Sequence, residues 1–398
     1  MDGPIRLVRS DDIPGLENLG PIHEWSEGRA YLMLDRITVH GIEGAIFTYN
    51  NPPVHQMGNP ALDAYLAGFE KLSSLGALSF LVLYGACDPV HAGGDLKESL
   101  TRLEETLEKR RQLEAEGAAA EAIDALYGWG DARLEKGFAL YRAVRESGLR
   151  TVAVCSGGMR FGGSAEVMLM ADYLVGDSRG GMCFSESQIG LIPGWGGVGR
   201  AITKAGIDNA RYMAMTCTMV GANDLAGAGI INKVVQIYRP FPKKQKTGDP
   251  DADKRAYLEA LQENNDESGK RLLPAALELA TSKNLSTLRL AGRRQLASDE
   301  ETRAEVERRV NPMTFEGLWD QPLKDARNAL QELGKPLAPQ SIAKLEQLLA
   351  GVDTEDFDEA AFIKAESDAD AELYRDPRFK QGILATLNQT VADFRNAE

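Results

Sequence analysis

The sequence predicts an α/β fold, because short apolar runs alternate with glycine turns and amphipathic helices. LSFLVLYG (78–85) and TVAVCSG (151–157) are apolar along their whole length, as expected for strands covered on both faces of a sheet. A glycine turn follows each run, at residues 91–95 and 161–166. The alternation ends near Val235, so we expect the α/β part to end there.

The other elements of the α/β part follow from local patterns. Residues 31–39 and 44–50 read as two strands joined by a tight turn, and residues 61–72 repeat apolar side chains at helical spacing. The charged, alanine-rich stretch 97–128 predicts surface helices. Residues 165–171 predict a helix that starts from the second glycine turn.

Composition divides the chain into four consecutive segments. We expect a loosely structured arm over 1–30, an α/β core over 31–237, a linker with a helical insertion over 238–340, and a C-terminal helical region over 341–398. Prolines predict breaks in the helical part, at Pro274, Pro312, Pro322 and Pro336.

Overall composition is that of a globular protein, with 398 residues, 43% hydrophobic and 26% charged. The 59 acidic residues outnumber the 45 basic ones, and the net charge of −14 argues against binding nucleic acid or an anionic membrane. No apolar run is long enough to span a membrane or act as a signal core. The four cysteines lack metal-ligand spacing, so we expect free thiols, no metal site and a cytoplasmic location.

The two glycine turns are the first candidates for chemistry. Bare backbone N–H groups at such turns, one of them at a helix start, favour negative charge. Two donors aimed at one point would form an oxyanion hole. The alternative is that the glycines only permit tight turns between strands and helices.

A third segment favours the first interpretation. The chain carries Ala92-Gly93-Gly94-Asp95-Leu96-Lys97, then Gly162-Gly163-Ser164-Ala165-Glu166 with Asp172, then Ser185-Glu186 followed by Gly190-Leu191-Ile192-Pro193-Gly194-Trp195-Gly196-Gly197. In order and spacing this set resembles the crotonase (enoyl-CoA hydratase) superfamily over roughly residues 31–236. The resemblance implies a spiral of ββα units, an acyl-CoA substrate and self-association as a trimer or hexamer through the C-terminal helices.

The resemblance also implies roles for four residues. Gly94 and Gly163 match the backbone N–H donors that hold the thioester oxygen, and Glu166 and Glu186 match the acid–base pair of hydratases. Adding water across a conjugated C=C bond independently requires a base for the water and an acid for the α-carbon. Without the resemblance, Glu166 would read as an ordinary glutamate of a first helical turn.

Contacts with the substrate follow in the same way. The resemblance places Val54 and His55 in a loop along the pantetheine, and it places Lys97 near the adenine and ribose. The alternative, to which we give equal weight, is that Lys97 is a solvent-exposed lysine that binds no ligand. Trp195 either floors the acyl pocket or packs in the core. The remaining motif positions assigned to substrate binding are Ala92, Asp95 and Leu96.

The chain departs from the family pattern in its length. Extra residues lie within 99–128 and within about 236–340, and the family's basic run near the C-terminus reads Ala385-Thr386-Leu387 here. We therefore expect hydration of an enoyl-CoA, with no cofactor beyond the CoA of the substrate. A hydrolase cleaving a thioester or a ring C–C bond is the main alternative. Isomerisation and a non-enzymatic CoA-binding role are the others.

Overall fold

The structure is a computed structural model that describes residue 7 and residues 13–76, 78–244, 247–283 and 293–395. It divides into two units, each assembled from three segments. Unit 1 comprises 1–93, 142–182 and 219–294, and unit 2 comprises 94–141, 183–218 and 295–398. These units cut across the consecutive segments predicted from composition, because the chain passes from one unit to the other five times.

Unit 1 is built on strands. They are β1 (Leu16–Glu27), β2 (Ala30–Val39), β3 (Ile42–Asn50), β4 (Phe80–Gly85), β5 (Val90–His91), β6 (Arg150–Cys155), β7 (Met159–Phe161), β8 (Tyr173–Asp177), β9 (Gly181–Cys183), β10 (Val220–Gly221) and β11 (Lys233–Val235). Over the described residues, seven form one sheet in the order β1-β2-β3-β4-β6-β8-β11, and four form a second sheet in the order β10-β9-β7-β5. The large sheet is parallel from β3 onward. The predicted α/β class is therefore confirmed.

The N-terminal prediction was wrong in its second half. Residues 1–6 and 8–12 lie outside the described residues, but Leu16–Glu27 form β1, which pairs antiparallel with β2. A polar strand with one exposed face lacks the apolar run that marks a buried strand, so composition alone suggested an arm. His40 and Gly41 form the next hairpin turn with positive φ at both positions, as a two-residue turn requires.

The helices of the first half begin with α1 (Asn59–Ser73), α2 (Leu96–Ala115), α3 (Ala120–Asp124) and α4 (Gly128–Glu146). They continue with α5 (Gly163–Leu169), α6 (Gly197–Ala205), α7 (Ile207–Thr216) and α8 (Ala222–Ala228). The helix predicted over 61–72 is thus confirmed as α1. The surface helices predicted within 97–128 are confirmed as α2 and α3.

The C-terminal part is helical, as predicted. Its helices are α9 (Pro250–Thr281), α10 (Asp299–Val310), α11 (Arg327–Leu333), α12 (Pro339–Ala350), α13 (Glu359–Leu373) and α14 (Pro377–Asn388). The break expected at Pro274 does not occur, because Pro274 lies inside α9. Leu272 and Ala276 of α9 are fully buried in the apolar core of unit 1, together with Val152 and Val175 of the large sheet. This packing stabilises the helix although Pro274 has no N–H to donate to the preceding turn.

Candidate functional site

The second glycine turn joins β7 to α5. Gly162 has φ 50° and ψ −132°, a conformation that only glycine adopts without strain. Gly163 is the first residue of α5, where no carbonyl within the helix can accept its N–H. Glu166 lies in the first turn of the same helix and is buried, with 3% of its surface exposed. Unit 1 therefore holds a helix-start N–H and a buried carboxylate three residues apart.

The first glycine turn packs directly against the second. A Cβ atom on Gly93 would lie 2.9 Å from the Phe161 carbonyl oxygen and 3.0 Å from the Gly163 nitrogen. Both contacts are with backbone, which cannot rotate away. Only glycine fits at position 93, and Gly94 follows it directly in the chain.

Backbone hydrogen bonds join the predicted pantetheine loop to this turn. The Ala92 N–H donates to the Val54 carbonyl at 2.7 Å, and the Met57 N–H donates to the Gly93 carbonyl at 2.8 Å. Val54, His55 and Ala92, which were assigned to CoA binding, thus lie together in unit 1. Their contact with CoA stays a prediction.

The side chain of His55 is occupied by the protein. Its Nδ1 accepts from the Asn51 N–H at 3.1 Å, so the neutral ring carries its proton on Nε2, which lies 2.8 Å from Asp88 Oδ2. The ring also stacks on His91, with 4.7 Å between ring centroids. His55 therefore orders the loop beside the first glycine turn.

Helix α9 holds the strand end that leads into the same turn. Asn265 Oδ1 accepts from the Cys87 N–H at 2.5 Å, and its Nδ2 donates to Asp88 Oδ1 at 3.0 Å. Asn264 Nδ2 donates to the Cys87 carbonyl at 2.7 Å. We call these two residues the asparagine clamp. Sequence reasoning missed it, because nothing local in either segment indicates a contact 177 residues away.

In unit 2, Asp95 caps helix α2. Its Oδ1 accepts from the N–H groups of Lys97 and Glu98 at 2.9 and 3.1 Å. Leu96 is the first residue of α2, and Lys97 is exposed. The motif aspartate thus has a local structural role as an N-cap, and substrate contact by these residues stays a prediction.

Within unit 2, the Arg133 side chain lies between Gly94 and the ring of Trp195. A Cβ atom on Gly94 would meet the Arg133 guanidinium, which donates to Ser99 Oγ at 2.7 Å and lies 5.8 Å from the centre of the Trp195 ring. Trp195 also packs against Gly137, where any Cβ would collide with the indole. Trp195 is 5% exposed. Of the two predicted roles, these contacts therefore show packing in the core, and a place in the acyl pocket stays a prediction.

Glu186 opens a short 3-10 helix, Glu186–Gln188, and is 8% exposed. The segment that follows is tied to α13. Asp370 Oδ1 accepts from the Ile192 N–H at 2.9 Å, and the Glu366 carboxylate accepts from the Val198 and Gly199 N–H groups at 3.2 and 3.0 Å. These two buried carboxylates hold the third motif in place. No motif indicated them.

Asp172, the last residue of the second motif, is a structural group. It accepts from the Thr151 N–H and hydroxyl at 3.0 and 2.8 Å and pairs with Arg145. Burial raises the pKa of this carboxyl, but the hydrogen bonds from Thr151 and the Arg145 pairing outweigh burial and hold the pKa below its usual range. The interaction fixes the end of the α5 segment to β6.

The cysteines are free and buried, as predicted. Burial raises the pKa of Cys87 and of Cys217 to about 12, so neither is a thiolate near neutral pH. Over the described ranges, no group of three or more His, Cys, Asp or Glu side chains could hold a metal ion. No helix in the described part of the chain is long and apolar enough to cross a membrane.

The fold that carries the two abutting glycine turns is similar to that of known enzymes. An enoyl-CoA hydratase from Rhodobacter sphaeroides has a TM-score of 0.53 at 17% identity over 89% of this chain and 90% of its own. A carnitinyl-CoA dehydratase from Mycobacterium thermoresistibile has a TM-score of 0.50 at 14% identity over 87% of each chain. At these identities the comparison shows the fold, which is that of the enoyl-CoA hydratases.

Sequence comparison points the same way. The profile of the enoyl-CoA hydratase/isomerase family matches residues 115–239. A crotonyl-CoA hydratase of Syntrophomonas wolfei is 27% identical over 112 residues, which are 28% of this chain and 42% of that protein. A fatty acid oxidation complex subunit alpha of Psychrobacter cryohalolentis is 33% identical over 78 residues, 20% of this chain and 11% of that protein. The chain is thus similar in sequence to the enoyl-CoA hydratase/isomerase family over less than half of its length, and it spans less than half the length of either relative.

Proposed function

We propose that the protein hydrates an enoyl-CoA thioester, reversibly, through an enolate-like intermediate. The observation that carries the proposal is the approach of Gly93 to the Gly163 nitrogen, which brings the two glycine turns together. The similarity to a crotonyl-CoA hydratase supports this class of reaction.

The proposed chemistry balances as follows. One carboxylate, from Glu166 or Glu186, takes a proton from water while the water oxygen bonds to the β-carbon. The C=C electron pair moves toward the thioester oxygen, where the Gly94 and Gly163 N–H groups receive the developing charge. The other carboxyl group then gives its proton to the α-carbon. No cofactor enters the reaction beyond the CoA carried by the substrate.

The experiment is turnover of a panel of enoyl-, β-hydroxyacyl- and cyclic β-keto acyl-CoAs, read by mass spectrometry, free-thiol assay and enoyl absorbance. A hydratase adds the mass of one water, removes the enoyl band and leaves CoA attached. Release of thiol, or a new carboxylate on a product that retains CoA, would instead identify a hydrolase. A shift of the double bond without a change in mass would identify an isomerase.

Self-association and location are part of the same proposal. The C-terminal helices are proposed to join copies of the chain into a trimer or hexamer in the cytoplasm, and sedimentation velocity of the purified protein measures the oligomer directly.

A further inference from the structure

Unit 1 contains a small cavity of about 20 Å³ lined in part by residues next to the glycine turns. Its wall includes Arg160, His91 and Ser164, together with the aromatic rings of Tyr65 and Tyr84. Ser164 directly follows Gly163, and His91 lies two residues before Gly93. This volume is enough for one or two water-sized groups. Among the described residues, no carboxylate lines the cavity.

Arg160 is the unusual member of this wall. Only 4% of its surface is exposed, yet among the described residues its guanidinium binds only hydroxyl and carbonyl groups: Ser164 Oγ at 3.3 Å, and the Ser156 carbonyl and Oγ at 3.0 Å each. Its Nε has no hydrogen-bond partner among the described residues. A buried charge of this kind needs a counter-charge.

Two other arginines, the partly buried Arg179 and the buried Arg200, show the usual solution. Arg179 binds Asp177 at 2.6 Å within unit 1, and Arg200 binds Glu359 at 2.6 Å within unit 2. In the described part of the chain, Arg160 forms no such ion pair with a carboxylate, and burial lowers its pKa. Of these three arginines, Arg160 is the one to which the described residues provide no counter-charge.

His91 supplies a second polar atom without a partner. Its Nε2 is buried and, among the described residues, makes no hydrogen bond. Burial and the charge of Arg160 hold the pKa of His91 well below its usual value, which favours the uncharged ring. An anion beside Arg160 would offset that charge and favour a proton on His91, so that Nε2 donates.

We propose that this cavity binds a small monovalent anion, a halide or a carboxylate group, held by the Arg160 guanidinium with His91 beside it. The anion has two sources of the same chemistry. It is either a free ion from solution or the terminal carboxylate of a substrate acyl group, and the second source rests on the proposed function. Arg160 is charged at every physiological pH and suits either source.

The direct test is a crystal of the wild-type protein soaked in bromide, with anomalous diffraction. We expect a bromine peak in the cavity within hydrogen-bond distance of Arg160 Nε. Electron density for water alone, with no anomalous peak, would overturn the proposal. This test requires neither turnover nor a variant, so it remains valid whether or not the proposed function holds.

A solution test adds a variant and a matched control. At constant ionic strength, replacing gluconate, which is too large for the cavity, by bromide or formate should raise the wild-type Tm by about 1–3 °C with saturation. Arg160→Met should lose this saturable rise. Arg179→Met removes an arginine that is already paired with a carboxylate. Its Tm should lie below the wild-type Tm by the same amount in all three salts, so the saturable rise should be retained. A wild-type Tm that is the same in every salt would contradict the proposal.

The source of the anion is distinguished by kinetics. If it is the acyl carboxylate, Arg160→Met should raise the ratio of KM for an enoyl-CoA with a terminal carboxylate to KM for crotonyl-CoA at least tenfold, and bromide should compete with the carboxylated substrate. If it is a free ion, Arg160→Met should leave this ratio of KM values unchanged, although the wild-type crystal shows the bromine peak. Both results support an anion site and assign its source.

Discussion

Asp370 accepts a hydrogen bond from the backbone N–H of Ile192 at 2.9 Å, across 178 residues of sequence. One turn earlier on α13, Glu366 accepts from two N–H groups at the start of α6. The C-terminal helical region thus supplies the groups that fix the segment after Glu186. Within unit 2, the third motif depends on helix α13 for its position.

The first prediction concerns this helix. Asp370→Ala should lower the free energy of unfolding by about 2–3 kcal/mol, because it removes a charged acceptor from a buried N–H. Chemical denaturation followed by circular dichroism measures the change. Asp368→Ala on the same helix breaks only an exposed pair with Lys364 and should cost less than about 0.5 kcal/mol. Equal effects of the two variants would contradict the assigned role of Asp370.

The second prediction concerns the asparagine clamp. Asn265→Ala removes hydrogen bonds to Cys87 and Asp88 and should lower kcat/KM for the best acyl-CoA substrate about tenfold, because the strand end before the first glycine turn loses its support. The loss should fall mainly on kcat. Gln262→Ala is the matched control, since the side chain of Gln262 donates to Asp266 on the same helix and, among the described residues, makes no other hydrogen bond. An Asn265→Ala enzyme with unchanged kcat and a lowered Tm would leave the clamp a purely structural device.

The third prediction compares the two glycines of the first turn. Gly93→Ala forces its Cβ against the backbone of Phe161 and Gly163, so we expect kcat to fall roughly 100-fold or more, the scale of losing one oxyanion donor. Gly94→Ala meets only the end of the Arg133 side chain, which can shift, and should retain more activity. Steady-state kinetics of both variants decides the order. Greater damage from Gly94→Ala would contradict the described packing.

The fourth prediction is a pH dependence of stability. Burial, Arg160 and His55 hold the pKa of His91 well below its usual value, although a hydrogen bond with the Asp88 backbone opposes them. Below pH 6.5 the unfolded chain therefore binds a proton at His91 that the folded chain does not. Stability should be full above pH 6.5 and should fall below it, with a slope of up to about 1.4 kcal/mol per pH unit from this group. Denaturation between pH 5 and 7.5 in gluconate buffer should give a flatter curve for His91→Asn. The same slope in both proteins would refute the assignment.

Local patterns were enough to predict much of this molecule. The apolar runs that became β4 and β6, the amphipathic α1 and the two glycine turns all follow from interactions within a few residues. The polar strand β1 could not be predicted, because its stability comes from pairing with β2. Pro274 inside α9 was missed for a similar reason, since packing against the large sheet compensates for the lost hydrogen bond.

The supporting groups of the candidate site were beyond local patterns. Asn265, Asp370 and Arg160 owe their importance to contacts made by folding, and their sequence surroundings resemble any polar helix or strand end. The motif residues themselves were identifiable because their spacing is fixed by the turns that they form. Sequence therefore located the glycine turns and the two glutamates, and the structure revealed what holds each turn.

The most direct test of the central claim is hydration of crotonyl-CoA, followed by loss of enoyl absorbance, in Glu166→Gln and Glu186→Gln. Each variant should lose at least about 100-fold in kcat and keep the wild-type Tm within a few degrees, because general acid–base catalysis is lost while the side-chain volume is kept. Glu146→Gln and Glu108→Gln, at exposed helical positions, should retain full activity. Wild-type rates in either site variant would contradict the assignment of that glutamate to the acid–base pair.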